Sequence, residues 1–219
     1  MALARAVEKI PVVDGKQRRG LLIALEGPTG CNIADIFGKI WEELDSNAAV
    51  ITLSTPDWKS NNEETFRKAI AELCSVQKTI IEELNSGKLV VVYNHMLAVL
   101  AAAWRHNVFN CQEVQDVAGA RMLLASFRDV IIPDITFMCM PGIETTVNRL
   151  VKNGLLENED AYMYSEYRTE ARAYNKMSFY VDDVYDLTTS SINTESEMLQ
   201  RIVLSSVTDC FKPIKFYYA

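Results

Sequence analysis

Five consecutive apolar residues, 21–25 (LLIAL), run directly into Glu26-Gly27-Pro28-Thr29-Gly30. A continuous apolar run bounded by turn residues suits a strand covered on both faces, and such strands belong to parallel sheets flanked by helices. Glu26 and Gly27 end the strand, and Pro28, Thr29 and Gly30 make a tight turn. From residue 35 to 44 the apolar positions Ile36, Phe37, Ile40, Trp41 and Leu44 recur at helical spacing. Strand, glycine turn and helix in that order gather backbone N–H groups and a helix N-terminus around one point. That is the setting in which an anion such as a phosphate is held.

The pattern of such a loop is G-x-x-x-x-G-K-[ST]. Counting from Gly27, the second glycine falls on Asn32, the lysine on Ile33 and the hydroxyl on Ala34. Asn32 tolerates a left-handed backbone. Ile33 brings no cation to a phosphate, and Ala34 offers no oxygen to Mg²⁺. A vestigial phosphate loop is therefore expected at Gly27, Gly30, Asn32, Ile33 and Ala34. The expectations that go with it are weak or absent ATP binding, no catalytic residue, no cofactor and no metal ligand.

The rest of the chain alternates in the same way. Residues 49–53 (AVITL) read as a second strand and residues 89–93 (LVVVY) as a third, fully buried one. Between them, Phe66, Ile70, Leu73, Val76, Ile80, Ile81 and Leu84 keep the 3.6 period of a single helix over 63–85, stopped by Gly87. Helices are expected at 97–104, 111–127, 144–151, 161–177 and 195–207, with strands at 135–140 and near 184–187. Such alternation calls for a parallel sheet with helices on both faces. Residues 1–19 read as an N-terminal arm carrying Leu3, Val7, Ile10 and Val12, and 208–219 as a tail ending Phe216-Tyr217-Tyr218. The domain between them is expected to cover 20–207.

Composition excludes several classes. A chain of 219 residues with 49% hydrophobic and 23% charged residues has ample core for independent folding. Its net charge of −7 argues against a nucleic-acid-binding surface, which needs a basic face. No apolar run is long enough to span a bilayer, and the N-terminus lacks the apolar core of a signal peptide. A cytoplasmic or nuclear setting inside the cell is expected. Cys31, Cys74, Cys111, Cys139 and Cys210 show no C-x-x-C spacing, and His95 and His106 do not sit at ligand spacing. Reduced, mostly packed thiols are expected, with Cys210 near the tail best placed to reach another molecule.

Beyond the loop, three stretches carry a resemblance. The run GKLVVVYNHMLAVLAAAW is similar to the third strand and following helix of the thymidylate kinase and deoxynucleoside kinase family. PDITFMCMPGIETTVNRLVKNG resembles the family's fourth strand and the helix leading to its mobile lid. VYDLTTSSINTESEMLQRIV resembles its closing strand and helix. The resemblance implies an α/β fold, a P-loop kinase-like five-stranded parallel sheet in the order 2-3-1-4-5, helix-rich, with the two terminal arms outside it. It also implies an Asp-Arg-Tyr/Ser triplet for magnesium, phosphate and substrate, and those places hold Asn94, His95 and Met96. Of the Arg-Glu-Pro often found after the second strand, Thr55-Pro56 keeps only the proline. For the lid arginines Arg149, Lys152, Arg168 and Arg172 are available by position. The simpler expectation makes them surface charges paired with Glu144, Glu166 and Glu170. Asp134 after Pro133 is expected to be a turn residue rather than a magnesium ligand.

These readings lead to a non-catalytic structural protein, not an enzyme, that self-assembles on a kinase-like scaffold. Cys111, Cys210, Phe216, Tyr217 and Tyr218 are its assembly candidates. By overall likeness the chain is also similar to nudivirus occlusion-body matrix proteins, the polyhedrins. That likeness implies copies of itself and virions as partners, within occlusion bodies of infected cells. A regulatory pseudokinase and an atypical thymidylate or deoxynucleoside kinase are the alternatives.

Overall fold

The computed structural model describes residues 20–31, 48–54, 63–105, 130–177 and 183–186. The helices expected at 35–44, 111–127 and 195–207, both arms, and Asn32, Ile33, Ala34, Cys111, Cys210, Phe216, Tyr217 and Tyr218 lie outside these residues.

The apolar runs form the middle of the sheet. β1 (Leu22–Glu26) and β3 (Leu89–Tyr93) are buried at every position, as is β4 (Ile135–Met140) up to its last residue. β2 (Ala48–Thr52) is partly exposed, which suits its place at an edge. The four-residue β5 (Asp183–Asp186) closes the opposite edge. All four pairings are parallel and the order is β2-β3-β1-β4-β5, the order that the family resemblance implies. Register follows the apolar pattern, with Leu22 opposite Val90 and Ile23 opposite Ile135. β1 thus sits between β3 and β4, and the chain changes sides of the sheet across it. In open parallel sheets a crevice forms at such a switch, beyond the carboxyl ends of the strands.

Between β2 and β3 the expected single helix is two. α1 (Glu63–Ser75) stops one residue before α2 (Gln77–Asn85). The cause lies in side chains that compete for helix carbonyls. Ser75 Oγ donates to Glu72 O at 2.7 Å and Gln77 Nε2 to Leu73 O at 2.8 Å, while Gln77 Oε1 accepts from Ile131 N at 2.9 Å. Gln77 is buried by this, so the junction is tied to the segment entering β4. α3 (Met96–Arg105) follows β3, and α4 (Ile143–Lys152) follows β4.

The helix expected over 161–177 is also divided. A 3-10 turn (Asp160–Tyr164) is separated from α5 (Glu166–Met177) by Ser165, whose backbone is extended at ψ 158°. Ser165 spends both its N–H and its hydroxyl on Tyr162 O, which caps the turn and starts a new direction.

One core unites Leu22, Val90, Val92 and Met138 of the sheet with Leu73, Ile80, Leu84, Leu97, Leu100, Ala173, Tyr174 and Met177 of the helices. A smaller cluster of Val147, Leu150, Tyr162 and Tyr167 joins α4 to α5. Two hydrogen bonds fix the start of β1. Gly20 N donates to Leu84 O at 2.7 Å, and Asp134 Oδ2 accepts from Leu22 N at 2.8 Å. Asp134 is a turn residue as expected, pinning the entry of β4 against β1.

At Gly20 a Cβ would collide with the Lys88 carbonyl oxygen and lie 2.8 Å from Lys88 C. Backbone cannot yield as a side chain can. Gly20→Ala should therefore destabilise the protein by about 1–3 kcal/mol or more in urea denaturation at unchanged m. Gly154→Ala is the comparison, since φ is +68° there but open space surrounds it. It should cost about 1–2 kcal/mol, the left-handed penalty alone.

Candidate functional site

Four features meet at the carboxyl ends of β1 and β3. The first is Glu26, the last residue of β1, which is fully buried. Its Oε1 accepts from Leu97 N at 2.9 Å and its Oε2 from Ala98 N at 3.2 Å. Glu26 therefore caps the first turn of α3 from 71 residues away, satisfying donors that a helix start leaves unpaired. Burial pushes its carboxyl up to about 8, against the backbone N–H groups of Leu97, Ala98 and His95 that pull it down.

The second is the turn Asn94-His95 between β3 and α3. Asn94 takes a positive φ of 58°, which Asn accommodates, while its side chain donates to Leu53 O at 3.1 Å. His95 is fully buried, and neither ring nitrogen has a hydrogen-bond partner among the described residues. Burial alone holds it down at about 4, so it is neutral at ordinary pH. Asn94 thus shapes the turn, and His95 stays uncharged inside it.

The third is the loop itself. Cys31 N donates to Pro28 O at 3.1 Å, closing the turn, and Gly30 takes φ +93°. A Cβ on Gly30 would meet Thr146 Cγ2 of α4 at 3.2 Å. Glycine lets the loop lie against that helix. Arg149, also on α4, donates from Nη1 to Gly30 O and Cys31 O, both at 3.3 Å. Of the four lid candidates it is the one placed on the loop. Arg168 donates instead to Met163 O at 3.0 Å, within its own segment.

The fourth is Glu170 on α5, fully buried and expected only as a surface ion-pair partner. Its Oε1 accepts from Thr29 N at 2.9 Å and from Thr29 Oγ1 at 3.1 Å. Beside it lies the buried phenol of Tyr174. Burial raises the Tyr174 hydroxyl well above its usual value, and the nearby acidic groups Glu26, Glu170 and Cys31 push the same way. The signal for Glu170 was present in the pattern. It falls on the stripe Tyr167, Glu170, Tyr174 and Met177, spaced by three and four, where a solvated charge does not belong.

Gly27 and Gly30 of the expected loop are in place at the end of β1. Among the described residues Cys31, Cys74 and Cys139 form no disulfide, and Cys31 and Cys139 are buried. Among the described residues no group of three or more His, Cys, Asp or Glu side chains is arranged to hold a metal ion. No helix among them is long and apolar enough to cross a membrane.

No protein-family model and no curated protein matches the chain. Solved structures do. Thymidylate kinase from Candida albicans is similar over 86% of this chain and 92% of its own, at 16% identity and a TM-score of 0.62. Deoxyadenosine kinase from M. mycoides, with the products dCMP and dCDP bound, is similar over 84% of this chain and 100% of its own, at 16% identity and a TM-score of 0.58. The same enzyme with dATP bound gives 15% identity and a TM-score of 0.56. The chain thus has an α/β fold with a parallel sheet and helices resembling P-loop kinases.

These matches correct the expectation that the chain is not an enzyme. Solved structures that share its fold over most of both chains include thymidylate and deoxynucleoside kinases. Substitutions at Asn32, Ile33 and Ala34 do not by themselves decide the question. Neither the structure nor these matches supports a self-assembling structural protein or an occlusion-body polyhedrin.

The buried carboxyl of Glu26 makes stability depend on pH in a specific window. A carboxyl whose folded value of about 8 exceeds its ordinary 4.5 binds its proton more tightly when folded. Its contribution is complete below the unfolded value and is lost as pH rises toward about 8. His95, held at about 4 instead of 6.5, acts in the opposite sense and has finished by about pH 6.5. Between pH 6.5 and 8 the unfolding free energy should fall by about 1–2 kcal/mol. Urea melts of Glu26→Gln at the two pH values should lose that slope. An unchanged slope assigns it to another group.

Proposed function

We propose that the chain is an atypical nucleoside or nucleotide kinase, transferring a phosphoryl group from ATP to a deoxynucleoside or its monophosphate. The observation that carries this reading is Arg149 Nη1 on the Gly30 and Cys31 carbonyls. Phosphoryl transfer asks the protein chiefly for positioning and for positive charge near the transferred group. Position 33 is isoleucine and supplies none. A guanidinium held against the same loop by α4 can supply it, with several N–H donors in a rigid fork suited to phosphate oxygens. The sheet order supports the reading too, because the loop lies at the end of β1 between β3 and β4, where such sheets bind ligands. Mg²⁺ enters this scheme with ATP, as part of the substrate.

The loop has lost two of its usual contributors, so turnover should be slow. One missing electrostatic contributor typically costs about 10²–10³ in rate. Against the roughly 1–100 s⁻¹ of ordinary kinases, a kcat of about 10⁻² s⁻¹ or less is expected here. The test is ADP release from Mg·ATP with each deoxynucleoside and deoxynucleoside monophosphate, with product identified by chromatography. Arg149→Ala should lower kcat by about 10²–10³ more, and Arg149→Lys should recover only part of it. Wild-type protein that forms no phosphorylated product above background overturns the proposal. Equal rates in Arg149→Ala and wild type remove Arg149 from it.

A further inference from the structure

The loop's donors already have a carboxyl partner. Thr29 offers its backbone N–H and its hydroxyl at the mouth of the turn, and both are taken by one oxygen of Glu170. That carboxylate comes from the middle of α5, 141 residues along the chain. Its helix is anchored along the same buried face by Ala173, Tyr174 and Met177 in the main core. A carboxylate on backbone and hydroxyl donors makes the same kind of bond as a phosphate oxygen does there.

We propose that Glu170 is an intramolecular occupant of the phosphate loop, holding the Thr29 donors until a phosphate group displaces it. The inference rests on the reading of the 27–31 loop as a phosphate site, but not on turnover. A phosphate that approaches the turn must compete for Thr29 N–H and hydroxyl, and it meets a negative charge as it does so. Arg149 holds the loop's carbonyl side throughout, so the displacement needs a change at Glu170 and not a rebuilt loop. Affinity for phosphate is lowered by the protein's own side chain. The same contact keeps the turn shaped while it is empty.

The experiment is calorimetric titration with inorganic pyrophosphate, which needs no acceptor and no phosphoryl transfer. Glu170→Gln keeps the shape and removes the charge. It should bind pyrophosphate about tenfold or more tightly than wild type, the order expected for one like charge removed from a partly buried anion site. Glu144→Gln, on the exposed face of α4, should leave the affinity unchanged. A Glu170→Gln protein that melts like wild type and binds pyrophosphate equally, more weakly or not at all overturns the proposal. If that variant does not fold, amide and carboxyl resonances of the wild type decide. Pyrophosphate should shift the Thr29 amide and the Glu170 side-chain carboxyl together. A shift at Thr29 with Glu170 unmoved, or no shift at either, overturns the proposal. Tighter binding in Glu170→Gln without kinase turnover would leave this inference standing and defeat the kinase reading alone.

Discussion

The carboxyl of Glu26 is the joint on which this end of the molecule depends. It ends β1, and through Leu97 N and Ala98 N it starts α3, so the central strand and the helix after its neighbour are fixed to each other. Asn94 N donating to Leu25 O at 3.2 Å adds a backbone tie at the same level. With β1 and the β3–α3 turn held together, the loop after Glu26 has a defined point of departure. Protonation of the carboxyl at neutral pH is the cheaper state there. Burying an ion costs more than the backbone N–H groups of Leu97, Ala98 and His95 return, whereas a neutral acid keeps acceptors for them.

The loop that leaves this joint is held from two sides by opposite chemistry. Its N–H and hydroxyl donors face a carboxylate on α5, and its carbonyl acceptors face a guanidinium on α4. Each partner matches the polarity of the backbone groups that it meets, which is why neither helix could take the other's place. The small cluster of Val147, Leu150, Tyr162 and Tyr167 packs α4 against α5 and so keeps the two charged groups in fixed relation.

The fold was readable because burial on both faces leaves an unmistakable mark. The runs at 89–93 and 135–140 coincide with β3 and β4, and those of β1 and β2 differ by one residue at each end. Alternation with helices then leaves few ways to order a parallel sheet. What the pattern could not show were the two helix breaks. At Val76 and Ser165 the 3.6 period continues, and the interruption comes from Ser75, Gln77 and Ser165 bonding backbone carbonyls, a choice made by tertiary contacts such as Gln77 with Ile131. The site was legible only in part. Gly27 and Gly30 announce a turn, but the partners of that turn lie more than a hundred residues away, and spacing carries no information about them. Arg149 carries no mark of its partner in the sequence, whereas Glu170 stands on the apolar stripe of α5 and so shows its burial but not what it meets.

A motif assigns charge to a position in the chain, whereas phosphate responds to charge at a position in space. Reading Ile33 as the loss of a cation is sound for residue 33 and says nothing of a guanidinium delivered by another element. Here, among the described residues, a guanidinium on α4 and a carboxyl on α5 meet polar atoms of the turn, and both elements follow β4. On the proposed reading, such an arrangement trades a fixed lysine for a guanidinium on α4 and a carboxyl on α5. The strength of a site built this way would then depend on how α4 and α5 present those two side chains.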